Sequence, residues 1–209
     1  MIRNISFGSC YVYSPTGQCV VSQRSRMLRA LLKAGDAEFL SRYAARVQHE
    51  VYAHRLFAGY FQATTVLIPV PGSMPQLPGV VSVAEQLAAA LVDAGLGGVV
   101  WSGLKRVIPV RKSATAPGGA RPTVAKHYDS FTVAPRDSSP ERILLVDDVV
   151  TKGRTLIAAA TRMHEAFPQA PICAFALLRT MGLVAEIAQL VDPCVGQIRW
   201  RAGDAHRCP

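Results

Sequence analysis

Glu141-Arg142-Ile143-Leu144-Leu145-Val146-Asp147-Asp148-Val149-Val150-Thr151-Lys152-Gly153-Arg154-Thr155-Leu156 reads as a buried strand that ends in two carboxylates, followed by a small-residue turn that opens a helix. Ile143 to Val146 is a short continuous apolar run, as a parallel strand covered on both faces requires. Leu156, Ala159, Ala160, Met163 and Phe167 then recur at helical spacing until Pro168 stops the pattern. Ligands of strand-turn-helix units collect beyond the carboxyl end of the strand, where Asp147 and Asp148 fall. Ionised carboxylates only accept hydrogen bonds, so this pair suits two sugar hydroxyls or a hydrated magnesium ion. Thr151 and Thr155 offer hydroxyls, Gly153 lets the backbone approach closely, and the free N–H groups of a helix start attract phosphate. Together they describe a phosphorylated sugar. A bulky residue at Gly153 is expected to block the phosphate at little cost to the helix. The plainer alternative is a strand that happens to end in Asp-Asp, a Thr151 cap, and solvated Lys152 and Arg154.

The run resembles the phosphoribosyl-pyrophosphate (PRPP) signature of the type I phosphoribosyltransferases: a strand, two acidic residues and a Thr/Gly-rich loop. That resemblance implies an α/β fold, an open and mostly parallel sheet with helices on both faces and a small hood from the terminal segments. It implies Asp147 and Asp148 on the ribose hydroxyls, and on magnesium through the ligand. Val149, Val150, Thr151, Lys152, Gly153, Arg154 and Thr155 would wrap the 5′-phosphate. A loop after the first core strand, Pro71, Gly72, Ser73 and Met74, would meet pyrophosphate. A long loop carrying Lys105, Arg106, Arg111, Lys112, Arg121 and Lys126 would close over the reaction, with Lys105 and Arg106 as candidate catalytic cations. The implied partners are PRPP and a small nitrogen acceptor, such as a nucleobase, and the implied cofactor is Mg2+. A homodimer is a further expectation.

A finer similarity links Leu28 to Leu40, then Leu67-Ile68-Pro69-Val70-Pro71, then the signature, to the competence protein F (ComF) branch of that family. Its N-terminal cysteine pairs are absent here, so no zinc module is expected. The basic, asparagine-containing text after the proline is absent too. A non-catalytic PRPP or nucleotide binder, or a ComF-like protein associated with DNA uptake, is the competing expectation.

The 209 residues suffice for one substantial core, divided here into 1–60 (a hairpin and helices), 61–180 (the catalytic core with a mobile loop at 105–130) and 181–209 (a second hood segment). The net charge of +9 favours polyanions, and its spread allows a nucleic-acid footprint without requiring one. No uncharged apolar stretch reaches the ~18 residues of a spanning helix, and the N-terminus lacks a signal peptide's apolar core. A soluble cytoplasmic protein is expected, with no membrane association. Five cysteines without a C-x-x-C pair are expected to be free thiols.

Along the chain, Cys10 to Tyr13 and Cys19 to Val21 flank a turn and predict an N-terminal hairpin. Helices are expected over Arg26 to Lys33, ended by Gly35, and from an Asp36 cap to about Tyr60. His49 and His54, five apart, do not share one helix side and are read as structural or surface residues. Thr65 to Val70 and Gly98 to Trp101 predict strands. Ser82 to Glu85 matches a capping box. Lys105 to Phe131 reads as a long loop, Ile172 to Leu178 as a strand, Leu183 to Val191 as a short helix and Gln197 to Trp200 as a strand. Tyr11, Tyr13, Tyr43 and Trp200 are candidates to stack on an acceptor base, although burial is the ordinary role of each. No P-loop, dinucleotide, nucleophile-elbow or zincin motif occurs.

Overall fold

The computed structural model of the chain describes residues 1–111, 121–181 and 184–208. Its elements run β1 (Asn4–Tyr13), α1 (Val20–Ala34), α2 (Ala37–Tyr52), β2 (Thr65–Pro69), α3 (Val83–Asp93), β3 (Val99–Val100), β4 (Leu104–Arg106), α4 (Val124–Asp129), β5 (Phe131–Val133), β6 (Arg142–Val150), α5 (Arg154–Ala166), β7 (Ile172–Thr180), β8 (Val191–Arg201) and β9 (Asp204–Cys208). A seven-stranded sheet has the order β3-β2-β6-β7-β1-β8-β9, with β4 and β5 forming a separate antiparallel ribbon. The first five strands of that order are parallel, and β8 and β9 are antiparallel additions. This is the expected open, mostly parallel α/β sheet.

Strand β6 explains why the signature's apolar run is continuous. Ile143 and Leu145 pack into a core with Leu156, Ile157, Ala160 and Met163 of α5. Leu144 and Val146, pointing the other way, join Leu32, Tyr43, Val47, Leu87 and Leu91 of α1, α2 and α3. Helices therefore cover both faces. Ala158 and Ile157 of α5 are fully buried as well, because the α4 and β4–β5 layer lies over the helix's outer side. Among the described residues no helix is long and apolar enough to cross a membrane.

The caps fall where the sequence puts them. Asp36 accepts from the Phe39 N–H at 2.7 Å, Gly35 closes α1 at φ 68°, and Ser82 with Glu85 forms the capping box of α3. Four expectations are corrected. No N-terminal hairpin forms: β1 is one ten-residue strand between β7 and β8, and Cys19 is the N-cap of α1, which begins six residues before Arg26. The run Cys10 to Tyr13 is apolar because both sheet faces are covered there. Helix α2 stops at Tyr52 rather than near Tyr60, and Phe57, Tyr60 and Phe61 drop into the core as irregular chain. The segment expected as a loop from Lys105 to Phe131 begins and ends in β4, α4 and β5, while 112–120, with Lys112, lies outside the described residues. The described part of the expected helix Leu183–Val191, from Val184 to Leu190, is irregular; Gly182 and Leu183 lie outside the described residues. Strand β8 then turns at Ala202 and Gly203, both left-handed at φ 51° and 78°, into β9. That is the geometry of a two-residue hairpin turn, missed because alanine seldom takes its first position.

Candidate active site

Two strands define the site's position. From β2 the chain crosses to β3 at one edge, and from β6 it crosses through α5 to β7 in the opposite direction, so β2 and β6 flank the point where strand order reverses. Open α/β sheets bind ligands in the crevice at the carboxyl ends of such strands. Beyond β2 lie Pro71, Gly72 and Ser73. Asp147 and Asp148 lie in the last four residues of β6, which runs on to Val150 before the turn into α5. The Val70 N–H donates to the Val146 carbonyl at 2.8 Å, holding the two ends side by side.

The strand continues through the acidic pair to Val150, so Asp147 and Asp148 point to opposite sides of β6. Both are partly exposed. Each carboxylate accepts from the next main-chain N–H, of Asp148 and Val149, at 2.8 Å. Close packing pushes the Asp147 pKa well above the usual carboxylate range, Asp148 adds repulsion, and Lys33 opposes both. Lys33 comes from the last turn of α1, its ammonium 3.1 Å from Asp148 Oδ2. Half-exposed pairs of this kind are worth about 1 kcal/mol or less, so a ligand can displace the lysine. Sequence reading missed Lys33, which lies 115 residues from its partner.

The signature turn is anchored from the far end of the chain. Gly153 occupies the N-cap of α5 at φ 85°, with no side-chain cap, which leaves the first N–H groups of the helix free of a capping side chain. Arg154 donates from Nε and Nη2 to the two carboxylate oxygens of Asp204 at 2.5 and 2.6 Å, and Lys152 Nζ lies 3.6 Å from the same group. This pairing holds Asp204 down to about 2. Neither cation of the turn is merely solvated, as the plainer sequence alternative would have it. The partner, on β9, lies in the hairpin the sequence did not reveal. Thr151 is exposed and Thr155 half-buried on the same turn.

Arg106 is not an open loop cation. It is 4% exposed and donates to the carbonyls of Gly72 and Pro71 and to Ser130 Oγ, with its guanidinium 4.2 Å above the Phe131 ring. Burial lowers its pKa to about 10, and Asp147 opposes the shift. It ties the Pro71–Gly72 turn to the β4–β5 ribbon. Lys105, its neighbour on β4, is exposed, as are Arg111, Arg121 and Lys126. The side of Gly72 where a Cβ would stand is open space, and the Ser73 carbonyl accepts from Val110 N–H at 2.8 Å. Of the aromatic candidates, Tyr43 is sealed in the core, Trp200 is 38% exposed on β8, and Tyr13, at the carboxyl end of β1, carries Arg29 over its ring. A cavity of about 300 Å³ lined by Val12, Met181, Val184, Glu186, Ile187 and Asp192 opens at the carboxyl ends of β1 and β7. Another of about 330 Å³ lies at their amino ends, away from the acidic pair.

His127 on α4 completes the electrostatics. It is 4% exposed, neither ring nitrogen has a partner among the described residues, and burial with Arg106 and Arg154 nearby lowers its pKa to about 4. A histidine depressed from ~6.5 contributes stability that is fully present above the unfolded value and is lost as pH falls through the folded one, ~3 kcal/mol in all. Asp147 has the opposite sign. Its raised pKa gives stability present below ~4 and lost as pH rises through the folded value. Denaturant melts from pH 7 to pH 4 should therefore show wild type losing ~3 kcal/mol relative to His127→Phe. Parallel curves for the two proteins would contradict the buried neutral imidazole.

No protein-family model and no curated protein matches the chain. Among solved structures, the fold is similar to that of a hypoxanthine phosphoribosyltransferase from Staphylococcus aureus, at 12% identity and a TM-score of 0.40, over 72% of this chain and 70% of that one.

Proposed function

We propose that the protein is a PRPP-dependent phosphoribosyltransferase, which joins the phosphoribosyl group to a ring nitrogen of a nucleobase-like acceptor and releases pyrophosphate. The observation that carries this reading is the convergence, at the strand-order reversal between β2 and β6, of an acidic pair, an uncapped glycine-led helix start and a short loop with an open glycine face. The signature resemblance supports the same assignment of parts.

In this reading Asp147 and Asp148 accept from the ribose hydroxyls, and Val149 to Thr155 hold the 5′-phosphate through main-chain N–H groups and threonine hydroxyls. Gly72 and Ser73 turn their N–H groups to the pyrophosphate. Arg106 is a positioning residue that fixes this loop through its carbonyls, and Lys105 is the exposed cation beside it. The carboxylates are hard oxygen donors, the kind magnesium prefers. Asp147 and Asp148 would hold the ion through the ligand's hydroxyls, and when bound it supplies positive charge to the leaving pyrophosphate. Breaking the C1–O bond leaves positive charge on the ribose ring, which the acidic pair stabilises, and negative charge on the leaving group, which the loop N–H groups and Lys105 stabilise. The nitrogen lone pair forms the new bond to C1 as the C1–O pair departs with pyrophosphate, and the ring N–H proton of the acceptor passes to solvent.

Pyrophosphate release from PRPP across a panel of purine and pyrimidine bases tests the proposal. At least one base should support turnover, and Lys105→Ala should lower kcat far more than PRPP affinity. PRPP binding without release under every acceptor would favour a second reading, a binding module. That reading draws support from Arg106, whose commitment to main-chain carbonyls removes one cation from the leaving group.

A further inference from the structure

Helix α2 ends in an arrangement that the spacing of its histidines does not foretell. On a continuous helix, residues five apart point roughly 140° away from each other. Here the rings of His49 and His54 stand 5.2 Å apart between centroids, edge to face at 70°. The backbone accounts for the difference. The Ala53 N–H still donates to the His49 carbonyl, and then the Leu56 N–H reaches back to the Glu50 carbonyl at 3.2 Å while Arg55 turns left-handed at φ 57°. This closure spans one residue more than the six-to-one bond of a Schellman end, with an arginine in the left-handed position where glycine is usual. A side-chain-bearing residue in that conformation is unfavourable, and the closure it permits folds His54 back over the last turn.

Glu50 lies between the two rings in sequence and close to them in space. A ring nitrogen from each histidine and an oxygen of the Glu50 carboxylate all lie within 4.8 Å of one another. Both imidazoles are exposed, and neither makes a hydrogen bond among the described residues. Glu50 is 3% exposed, and its Oε1 makes no directed hydrogen bond. The Arg46 guanidinium stands 2.6 Å from that oxygen as an ion pair, on a side chain that is 40% exposed and can swing into solvent.

We propose that His49, Glu50 and His54 form a binding site for a divalent transition-metal ion of the zinc class. Tetrahedral coordination at ~2.0–2.1 Å sets ligand atoms roughly 3.3 Å apart, a distance that small rotations of the two exposed rings reach. Two imidazoles and one carboxylate suit zinc, cobalt, nickel or copper, whereas magnesium and calcium prefer oxygen alone. Three protein ligands leave a fourth position to water. The carbonyl end of α2 adds its negative partial charge. A bound ion fastens the end of α2 to the irregular chain that carries Phe57, Tyr60 and Phe61 into the core, so occupancy should raise thermal stability. The site uses no residue of the crevice between β2 and β6.

The test uses the tag-free, chelator-washed protein, titrated calorimetrically with zinc chloride and with cobalt chloride. One ion per chain should bind, the melting temperature should rise with zinc and not with magnesium, and His49→Ala or His54→Ala should each weaken zinc binding ~10-fold or more. Both substitutions are on exposed side chains, so unchanged melting of the metal-free variants separates loss of the site from loss of the fold. The cobalt complex should show no thiolate-to-metal charge-transfer band. Absence of stoichiometric zinc binding, unchanged affinity in the histidine variants, or a thiolate band assigning the ion to a cysteine would each overturn the proposal.

Discussion

Gly153→Val should destabilise the whole protein by about 2–5 kcal/mol, combining ~1–2 kcal/mol for a side chain held in the left-handed region with ~1–3 kcal/mol for overpacking. A Cβ at Gly153 would stand 2.5 Å from Ile198 Cγ2 and 2.7 Å from its Cδ1, on a side chain fully buried in β8. The sequence alone suggested that a bulky residue here would block phosphate at little cost to the helix. That expectation is corrected, because what approaches this glycine closely is a strand from the far end of the chain. Urea melts provide the check, with Gly72→Ala as the control, since a Cβ there meets nothing within 4 Å. A Gly153→Val protein that melts like the parent would refute the close packing of β8 on the signature turn.

Replacing Asp147 and Asp148 together by asparagine should weaken PRPP binding by about 3–6 kcal/mol, at ~1.5–3 kcal/mol for each hydrogen bond to a charged group. Stability at neutral pH should not fall with it. Asp147 is held well above the usual carboxylate range by packing and by Asp148, so its ionisation disfavours the folded state, and asparagine removes that penalty. Binding loss with undiminished melting temperature is thus the expected pair of results. Unchanged PRPP affinity in the double variant would remove the ribose assignment.

The contrast between these two positions shows what a sequence can carry. The alternation of strand and helix from Thr65 to Leu178, the two-faced burial of β6 and the caps at Gly35, Asp36 and Ser82 are local, and local periodicity and capping chemistry expose them. The place of Asp147 and Asp148, late in a strand and just before a helix start, was legible for the same reason: both elements fall within one short run. Lys33 on Asp148, and Asp204 on Arg154, join residues far apart in the chain, and nothing in the spacing of either partner announces the other. Arg106 was read as a mobile cation because the segment from Lys105 to Phe131 mixes basic residues with the small-residue run Thr115 to Ala120, a composition that does not pack. Its burial depends on the Phe131 face and the Pro71 and Gly72 carbonyls, which only the assembled sheet brings to it. The N-terminal strand was misread because its pairing partners, β7 and β8, lie at the opposite end of the sequence. His49 and His54 were set apart by a helical rule that ceases to apply once α2 stops at Tyr52 and Arg55 turns left-handed.

A crystal structure with PRPP and magnesium bound would decide whether the crevice between β2 and β6 is the PRPP site. The 5′-phosphate is expected on the main-chain N–H groups between Thr151 and Thr155, the ribose hydroxyls on Asp147 and Asp148 with Lys33 displaced, and the pyrophosphate beside Gly72 and Ser73. A ligand seated away from the crevice between β2 and β6, or a phosphate bound elsewhere than at the start of α5, would contradict that placement.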